Sequence, residues 1–270
     1  MLIAQVTDPH VSLPGTILFG GYDPAAALTA VLTRIARLDP RPDLVFFTGD
    51  LTENGRPEEY AHFLGLVGGF DMPMAAIPGN HDRRDAFAEA LSDSPVRMAG
   101  DPSLGLQVAV EDLPALILGL DTLALEGDPS GELSPERLSW LAARLDAAAG
   151  RPAIVFMHHP PIVTGIEAMD IWRLRDPEPL AAIIRAFPNV LRVCCGHVHR
   201  AVAAPFAGTV CGVCPSVAWA VPLFEPAIRA PLVRQAPGFQ LHLLTPDGLV
   251  THTEFLSDFD DRLPRARPPA

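Results

Sequence analysis

Lysine is missing altogether, and all twenty basic residues are arginine. That removes Schiff-base chemistry and the lysine of a phosphate-binding loop, and no glycine-rich nucleotide loop takes its place. Cysteine is scarce: Cys194, Cys195, Cys211 and Cys214 all lie in apolar, strand-like sequence. Cys211-x-x-Cys214 has no second such pair to complete a zinc site, so small buried residues are expected there. Positive charge is outweighed, leaving a formal net charge of −12. This argues against a long nucleic-acid partner, while a small anion remains open because bound divalent cations reverse the local field. No apolar run reaches membrane-spanning length and no charged leader precedes the first strand pattern, so a cytoplasmic chain without a membrane partner is expected.

What is present fits one well-packed domain. With 270 residues, 49% hydrophobic and 19% charged, the chain sits near the upper size for a single core. The expected extent of that domain is 1–260, with a poorly ordered proline-rich tail over 261–270. Apolar runs begin at Leu2, Leu44, Met74, Ala153 and Leu191 and read as strands buried on both faces. Between them, helical periodicity follows cap-and-proline signals at Asp23-Pro24, Pro57, Ser134-Pro135 and Asp176-Pro177, with a further helix over Asp82 to Leu91. Leu104 to Val110 and Pro114 to Leu120 read as a strand pair. From 200 to 256 the pattern turns β-rich, with short strands at 202–206, 209–214, 238–244 and 248–255 around a proline-rich insertion over 221–237. That insertion carries Phe224 and other apolar residues, and it motivates the expectation of a homodimer or higher homo-oligomer.

The five long apolar runs end alike, in side chains that bind metals. They deliver Asp8-Pro9-His10, Gly49-Asp50, Gly79-Asn80-His81-Asp82, His158-His159 and Gly196-His197-Val198-His199. Six of the nine histidines fall in these segments. In open α/β sheets ligands gather at the carboxyl ends of strands, so a metal centre on the rim of a sheet is expected. Asp8-x-His10 and His197-x-His199 have the spacing that places strand side chains on one face, so each pair is expected to reach one centre. A carboxylate such as Asp50 has two oxygens and can bridge two cations. The mixed nitrogen and oxygen donors suit Mn, Fe, Co or Zn better than Ca or Mg. Two ions about 3.5–4 Å apart are the recurring device for splitting phosphate esters, and they bring the pKa of bound water to about 7. His81, beside a candidate ligand, is the natural hydrogen-bond or proton donor to the leaving alcohol. Singly, each motif reads as well as a turn; His62, His242 and His252, outside the motifs, are expected in surface or core roles.

In this order, the five blocks resemble the calcineurin-like metallophosphoesterases, most closely their bacterial class III cyclic-nucleotide phosphodiesterases and glycerophosphodiesterases. The resemblance implies an α/β (α+β), four-layer αββα sandwich of two mixed β-sheets with the site at strand carboxyl ends. It implies two divalent or mixed-valence transition-metal ions (Fe, Mn, Zn or Co). Asp8, His10 and His199 would hold one and Asn80, His158 and His197 the other, with Asp50 between. His81 would contact the leaving group or a phosphoryl oxygen, and His159 and Asp82 would support the site or face the substrate. The implied activity is hydrolysis of a small phosphodiester, a 3',5'-cyclic nucleotide such as cAMP or a glycerophosphodiester, by hydroxide bridging the metals. A phosphomonoesterase and a catalytically inert metal-binding scaffold are the alternatives. Substrate choice is expected from the loops 11–22 and 160–176 and the insertion 221–237.

Overall fold

The computed structural model describes residues 1–19, 21–98, 105–125, 127–225 and 232–256. The expected tail over 261–270, the middle of the 221–237 insertion and Leu104 lie outside them. Along the chain the elements are β1 (Leu2–Val6), α1 (Pro24–Ala36), β2 (Leu44–Thr48), α2 (Pro57–Val67), β3 (Met74–Ile77), α3 (Arg84–Leu91), β4 (Val96–Arg97), β5 (Val108–Val110), β6 (Leu116–Leu120), α4 (Pro135–Ala147), β7 (Ala153–Met157), α5 (Glu167–Asp170), α6 (Glu178–Ala186), β8 (Val190–Cys195), β9 (Val202–Phe206), β10 (Thr209–Val213), β11 (Gly238–Thr245) and β12 (Gly248–Phe255). They form two six-stranded sheets, ordered β12-β11-β1-β2-β3-β4 and β5-β6-β7-β8-β10-β9. Both are mixed: β1 to β4 run parallel while β11 joins β1 antiparallel, and β6, β7, β8 and β10 run parallel between antiparallel β5 and β9.

Alternation along each strand explains the four-layer build. Phe46, Ile77, Ile117, Ile154, Phe156 and Cys194 pack between the sheets, with the Phe46 and Phe156 rings stacked at 4.3 Å and 12°. Their neighbours in sequence face outwards. Val45 and Phe47 pack on Leu28, Leu32 and Phe63 of α1 and α2, while Val155 and Met157 pack on Leu141, Leu145 and Ile184 of α4 and α6. A strand covered by a sheet on one side and helices on the other has no wet face, which is why the run Leu44 to Phe47 carries no polar residue. Each such side chain contributes about 1.5–3 kcal/mol on burial.

The helix starts follow the cap logic at α1, where the Asp23 carboxylate accepts from Ala26 N at 3.0 Å, and at α4, where Ser134 Oγ accepts from Arg137 N at 3.4 Å. Two starts differ. Asp176 adopts φ of 40° and caps nothing, so Pro177 precedes α6. The helix expected from Asp82 begins only at Arg84, because the Asp82 carboxylate is drawn inward to accept from Gly79 N, Leu51 N and the Tyr60 hydroxyl. Strand β4 and the single turn α5 carried no pattern long enough to read. All four cysteines are free and buried, and Sγ of Cys195 lies 3.7 Å from that of Cys211 on the neighbouring strand. No helix among the described residues is long and apolar enough to cross a membrane.

Candidate metal centre

All five motif segments emerge from the carboxyl ends of β1, β2, β3, β7 and β8 and meet where the two sheets adjoin. The backbone fixes the first two side by side: Asp8 N donates to Gly49 O at 3.1 Å and His10 N to Asp50 O at 3.0 Å. None of the aspartate and histidine donors there sits in a strand. Asp8, His10, Asp50, His197 and His199 adopt φ of 51°, 48°, 49°, 71° and 57°, in the left-handed region. The two-residue spacing therefore does not act through strand pleat. Asp8 and His10 do converge, but His197 and His199 turn apart. His199 Nε2 lies 3.2 Å from His10 Nε2 and 3.5 Å from Asp8 Oδ1, whereas His197 Nδ1 lies 2.9 Å from Asn80 Oδ1. Consecutive tight turns, rather than a shared sheet face, separate them.

Glycine makes the convergence sterically feasible. A Cβ on Gly79 would sit 2.4 Å from both Asp50 N and Asp50 Oδ1, and one on Gly49, at φ of 93°, would sit 2.4 Å from His158 Nδ1. Each donor loop can approach the next only because these two positions lack a side chain.

Two sets of donors result. Ligand atoms of Asp8, His10, Asp50 and His199 lie within 4.8 Å of one another. Asn80 Oδ1 lies 3.0 Å from His158 Nε2 as well as 2.9 Å from His197 Nδ1. Between the sets stands Asp50, whose Oδ2 is 3.6 Å from His10 Nε2 and 3.4 Å from His158 Nε2. The other Asp50 oxygen accepts from His81 N at 2.8 Å. All of these side chains except Asn80 are buried.

The outer nitrogens decide what the inner ones can do. His10 Nδ1 bonds a Glu53 carboxylate oxygen at 2.8 Å, His199 Nδ1 the Trp219 carbonyl at 2.9 Å, and His158 Nδ1 the Thr48 carbonyl at 2.8 Å. Carbonyl and carboxylate oxygens only accept, so each Nδ1 carries the hydrogen and each neutral ring presents a bare Nε2 inward. The bare nitrogens of His10 and His199 at 3.2 Å repel each other without a positive charge between them, and His158 Nε2, 3.0 Å from the Asn80 oxygen, carries a proton that a cation would replace. This donor set fits a metal ion. His197 reverses the pattern: Nδ1 faces inward, and its buried Nε2 has no hydrogen-bond partner among the described residues.

The protonation equilibria agree. Burial pushes the Asp8 and Asp50 carboxyls up, but His199 beside Asp8 and His158 beside both hold them below the usual carboxylate range. Burial and the imidazoles of His159 and His158 drive His197 well below its ordinary value, so it is neutral and available as a donor. For His158, burial pulls downward, yet the carboxylates of Asp50 and Asp8 and the Thr48 carbonyl outweigh it and push the pKa up to about 9. In the metal-free protein this raised value contributes about 3 kcal/mol, fully present below about pH 6.5 and lost as pH rises through about 9. A cation must displace that proton. Metal uptake at pH 7 is therefore expected to release about one proton at this site and to tighten as pH is raised toward 9. Calorimetric titrations in buffers of different protonation enthalpy would show it; affinity flat across that range would remove His158 from the ligand set.

His159 belongs to the surroundings. Its Nδ1 meets Thr122 Oγ1 at 2.8 Å and its Nε2 the Pro129 carbonyl at 3.1 Å, so both nitrogens are occupied. The bonds tie the loop after β6 to the residue next to His158. Asp82 is buried, anchors the β2 and β3 loops through its carboxylate and also lines the cavity beside His81. His81 is the partly open histidine, with 38% of its side chain exposed. It lines a cavity of about 530 Å³ together with Glu53, Asn80, Arg84, Leu123 and Asp128. Among the described residues, none from the segments expected to choose the substrate lines this cavity; the loops after β3 and β6 do. Residues of the 11–22 loop and the insertion instead enclose a smaller cavity of about 150 Å³ with Trp219. Trp219 carried no motif, yet its ring packs 4.6 Å from that of His10 and 5.3 Å from that of His199.

Two mixed sheets between helices, with clustered aspartates, an asparagine and histidines at strand ends, define a metallophosphatase-like α/β protein. The family model of calcineurin-like phosphoesterases matches residues 1–201, and the chain belongs to that family. It is 35% identical over 268 residues to a protein of Arcobacter nitrofigilis named "probable glycerophosphodiester phosphodiesterase GpdQ", covering 98% of this chain and 96% of that one. It is 31% identical over 198 residues to the 3',5'-cyclic adenosine monophosphate phosphodiesterase CpdA of Escherichia coli K12, covering 73% and 69%. Among solved structures, a dimetal phosphatase from Danio rerio shares the fold with a TM-score of 0.67 at 14% identity, over 95% of this chain and 99% of that one.

Proposed function

We propose that this protein hydrolyses small phosphodiesters, a glycerophosphodiester or a 3',5'-cyclic nucleotide, with two transition-metal ions drawn from Fe, Mn, Zn and Co. The observation that carries the reading is the convergence of imidazole nitrogens: three Nε2 atoms are turned inward by outward Nδ1 bonds, and one Asp50 oxygen lies 3.6 Å from that of His10 in one set and 3.4 Å from that of His158 in the other. In this reading Asp8, His10 and His199 hold one ion and Asn80, His158 and His197 the other, with Asp50 serving both. When bound, the ions would draw charge from the phosphoryl oxygens and lower the pKa of water to about 7. The chain itself supplies the rest. Buried walls keep the donors rigid, and the cavity beside His81 gives one ester arm a place to lie. His81 donates to the departing oxygen through Nε2, since its Nδ1 is already bonded to the Glu53 carbonyl at 2.8 Å. The names carried by the two relatives support the diester class.

The test compares bis(p-nitrophenyl) phosphate with p-nitrophenyl phosphate after reconstitution with Mn(II), Co(II) or Zn(II). Diester hydrolysis that exceeds monoester hydrolysis, disappears with chelator and returns with metal is expected. A monoester preference would move the assignment to a phosphomonoesterase. No metal-dependent hydrolysis of either would leave an inert metal-binding scaffold.

A further inference from the structure

We infer that Glu53 is a positioning residue that sets the first metal site through His10 and, by its own backbone, fixes the ring of His81. The inference rests on the ligand reading proposed above.

Glu53 lies three residues beyond Asp50, on the loop leaving β2, with 17% of its side chain exposed. It caps no helix there: the capping carboxylate of α2 is Glu59, which accepts from Arg56 N at 3.2 Å and Asn54 N at 2.9 Å. The Glu53 amide instead donates to Val11 O at 3.1 Å, pinning the residue beside the segment that carries His10. From that anchor the side chain and main chain act on different rings. Oε2 accepts from His10 Nδ1 at 2.8 Å, while the carbonyl oxygen accepts from His81 Nδ1 at 2.8 Å. The rings of His10 and His81 meet edge to face at 4.6 Å.

A metal-binding histidine whose second nitrogen donates to a carboxylate is held in one tautomer and made a stronger donor. Thr48 and Trp219 give His158 and His199 neutral carbonyl acceptors; of these three rings, His10 has the charged one. The carboxylate thus acts on one of the two proposed sites. A third cation held by Glu53, His10 and His81, whose ligand atoms also lie close together, is the weaker reading. Both close contacts are ordinary hydrogen-bond lengths, and His81 Nδ1 spends its hydrogen on the main-chain carbonyl rather than on the carboxylate, which is 3.9 Å away.

The experiment measures Mn(II) binding by titration calorimetry to the full chain as wild type, Glu53→Gln and Glu53→Ala, with circular dichroism as a check on folding. Wild type is expected to bind two equivalents. Glu53→Ala should weaken one class of site by about 10–100-fold and leave the other within about twofold. Glu53→Gln keeps an acceptor oxygen and should recover most of the loss. Turnover of bis(p-nitrophenyl) phosphate by Glu53→Ala should need more Mn(II), with a deficit that narrows as Mn(II) rises. Equal weakening of both sites, or wild-type affinity at both, would overturn the inference. If wild type itself failed to bind two ions, the ligand reading would fall, which is a separate outcome.

Discussion

Asp50→Ala is expected to lower the turnover of bis(p-nitrophenyl) phosphate by about 10³-fold or more, the loss of about 4 kcal/mol of transition-state stabilisation. No other side chain stands so squarely between the two donor sets: one of its oxygens is 3.4 Å from His158 Nε2 and 3.6 Å from His10 Nε2. The other holds the His81 amide at 2.8 Å. Alanine removes the negative charge shared by both proposed sites and frees the turn that presents His81. Excess metal should not restore the rate, because the carboxylate that would serve both donor sets is gone. Asp50→Asn separates the two effects. It keeps an acceptor for His81 N yet lacks the charge, so it should fold and bind metal more weakly at both sites. Steady-state rates and metal content measured on the same samples check this. An Asp50→Ala protein within tenfold of wild type, with its metal retained, would leave the shared-carboxylate reading untenable.

Much of this site was legible because its donors follow uninterrupted apolar runs. A strand buried on both faces must be continuously apolar, and the first polar residues after it mark the sheet rim. Asp8, Asp50, Asn80, His158 and His197 therefore fall at sheet edges from the sequence alone. The division of labour within that edge was not legible from spacing. Pleat periodicity assigned His197 and His199 to one centre, but a two-residue period holds only for extended backbone. These residues lie in turns with φ of 71° and 57°. Only the resemblance to known phosphoesterases separated the two. Trp219, the loop 121–131 and the inward turn of Asp82 were unreadable for another reason. Their contacts join separate segments, Trp219 with His10, Thr122 with His159 and Asp82 with Leu51, and leave no local pattern.

The left-handed donors also say where folding free energy goes. Non-glycine residues in that region cost about 1–2 kcal/mol each, and five of them meet here. The surrounding hydrogen bonds hold them in place: Thr7 Oγ1 to Asp8 Oδ2 at 2.7 Å, His10 N to Asp50 O at 3.0 Å, and His197 N to Asp8 Oδ2 at 3.1 Å. Strain kept by such a network is a means of fixing donors before a cation arrives. It accounts for glycine at positions 49 and 79, where a Cβ would drive the loops apart.

His81→Ala is expected to behave differently from any ligand variant. The ring is partly open, its Nδ1 is bonded to the Glu53 carbonyl, and its backbone amide rather than its side chain holds Asp50. Alanine keeps that amide, so both donor sets should persist and metal content should stay near two ions. The rate should fall by about 10²–10³-fold on a diester with an alkyl leaving group, such as a glycerophosphodiester, the range for loss of a general acid. On bis(p-nitrophenyl) phosphate the fall should be much smaller, because nitrophenolate departs without a proton. Burial lowers the His81 pKa, but the nearby Asp50 and Glu53 outweigh it and leave the group above its ordinary value in the metal-free chain. Cations bound at Asp50 would pull that value back down. A donor with such a pKa makes the alkyl-diester rate decline as pH rises past it, and this basic limb should be absent in His81→Ala. Equal losses on both substrates, or a loss of metal with the ring, would assign His81 to the metal scaffold instead of to the leaving oxygen.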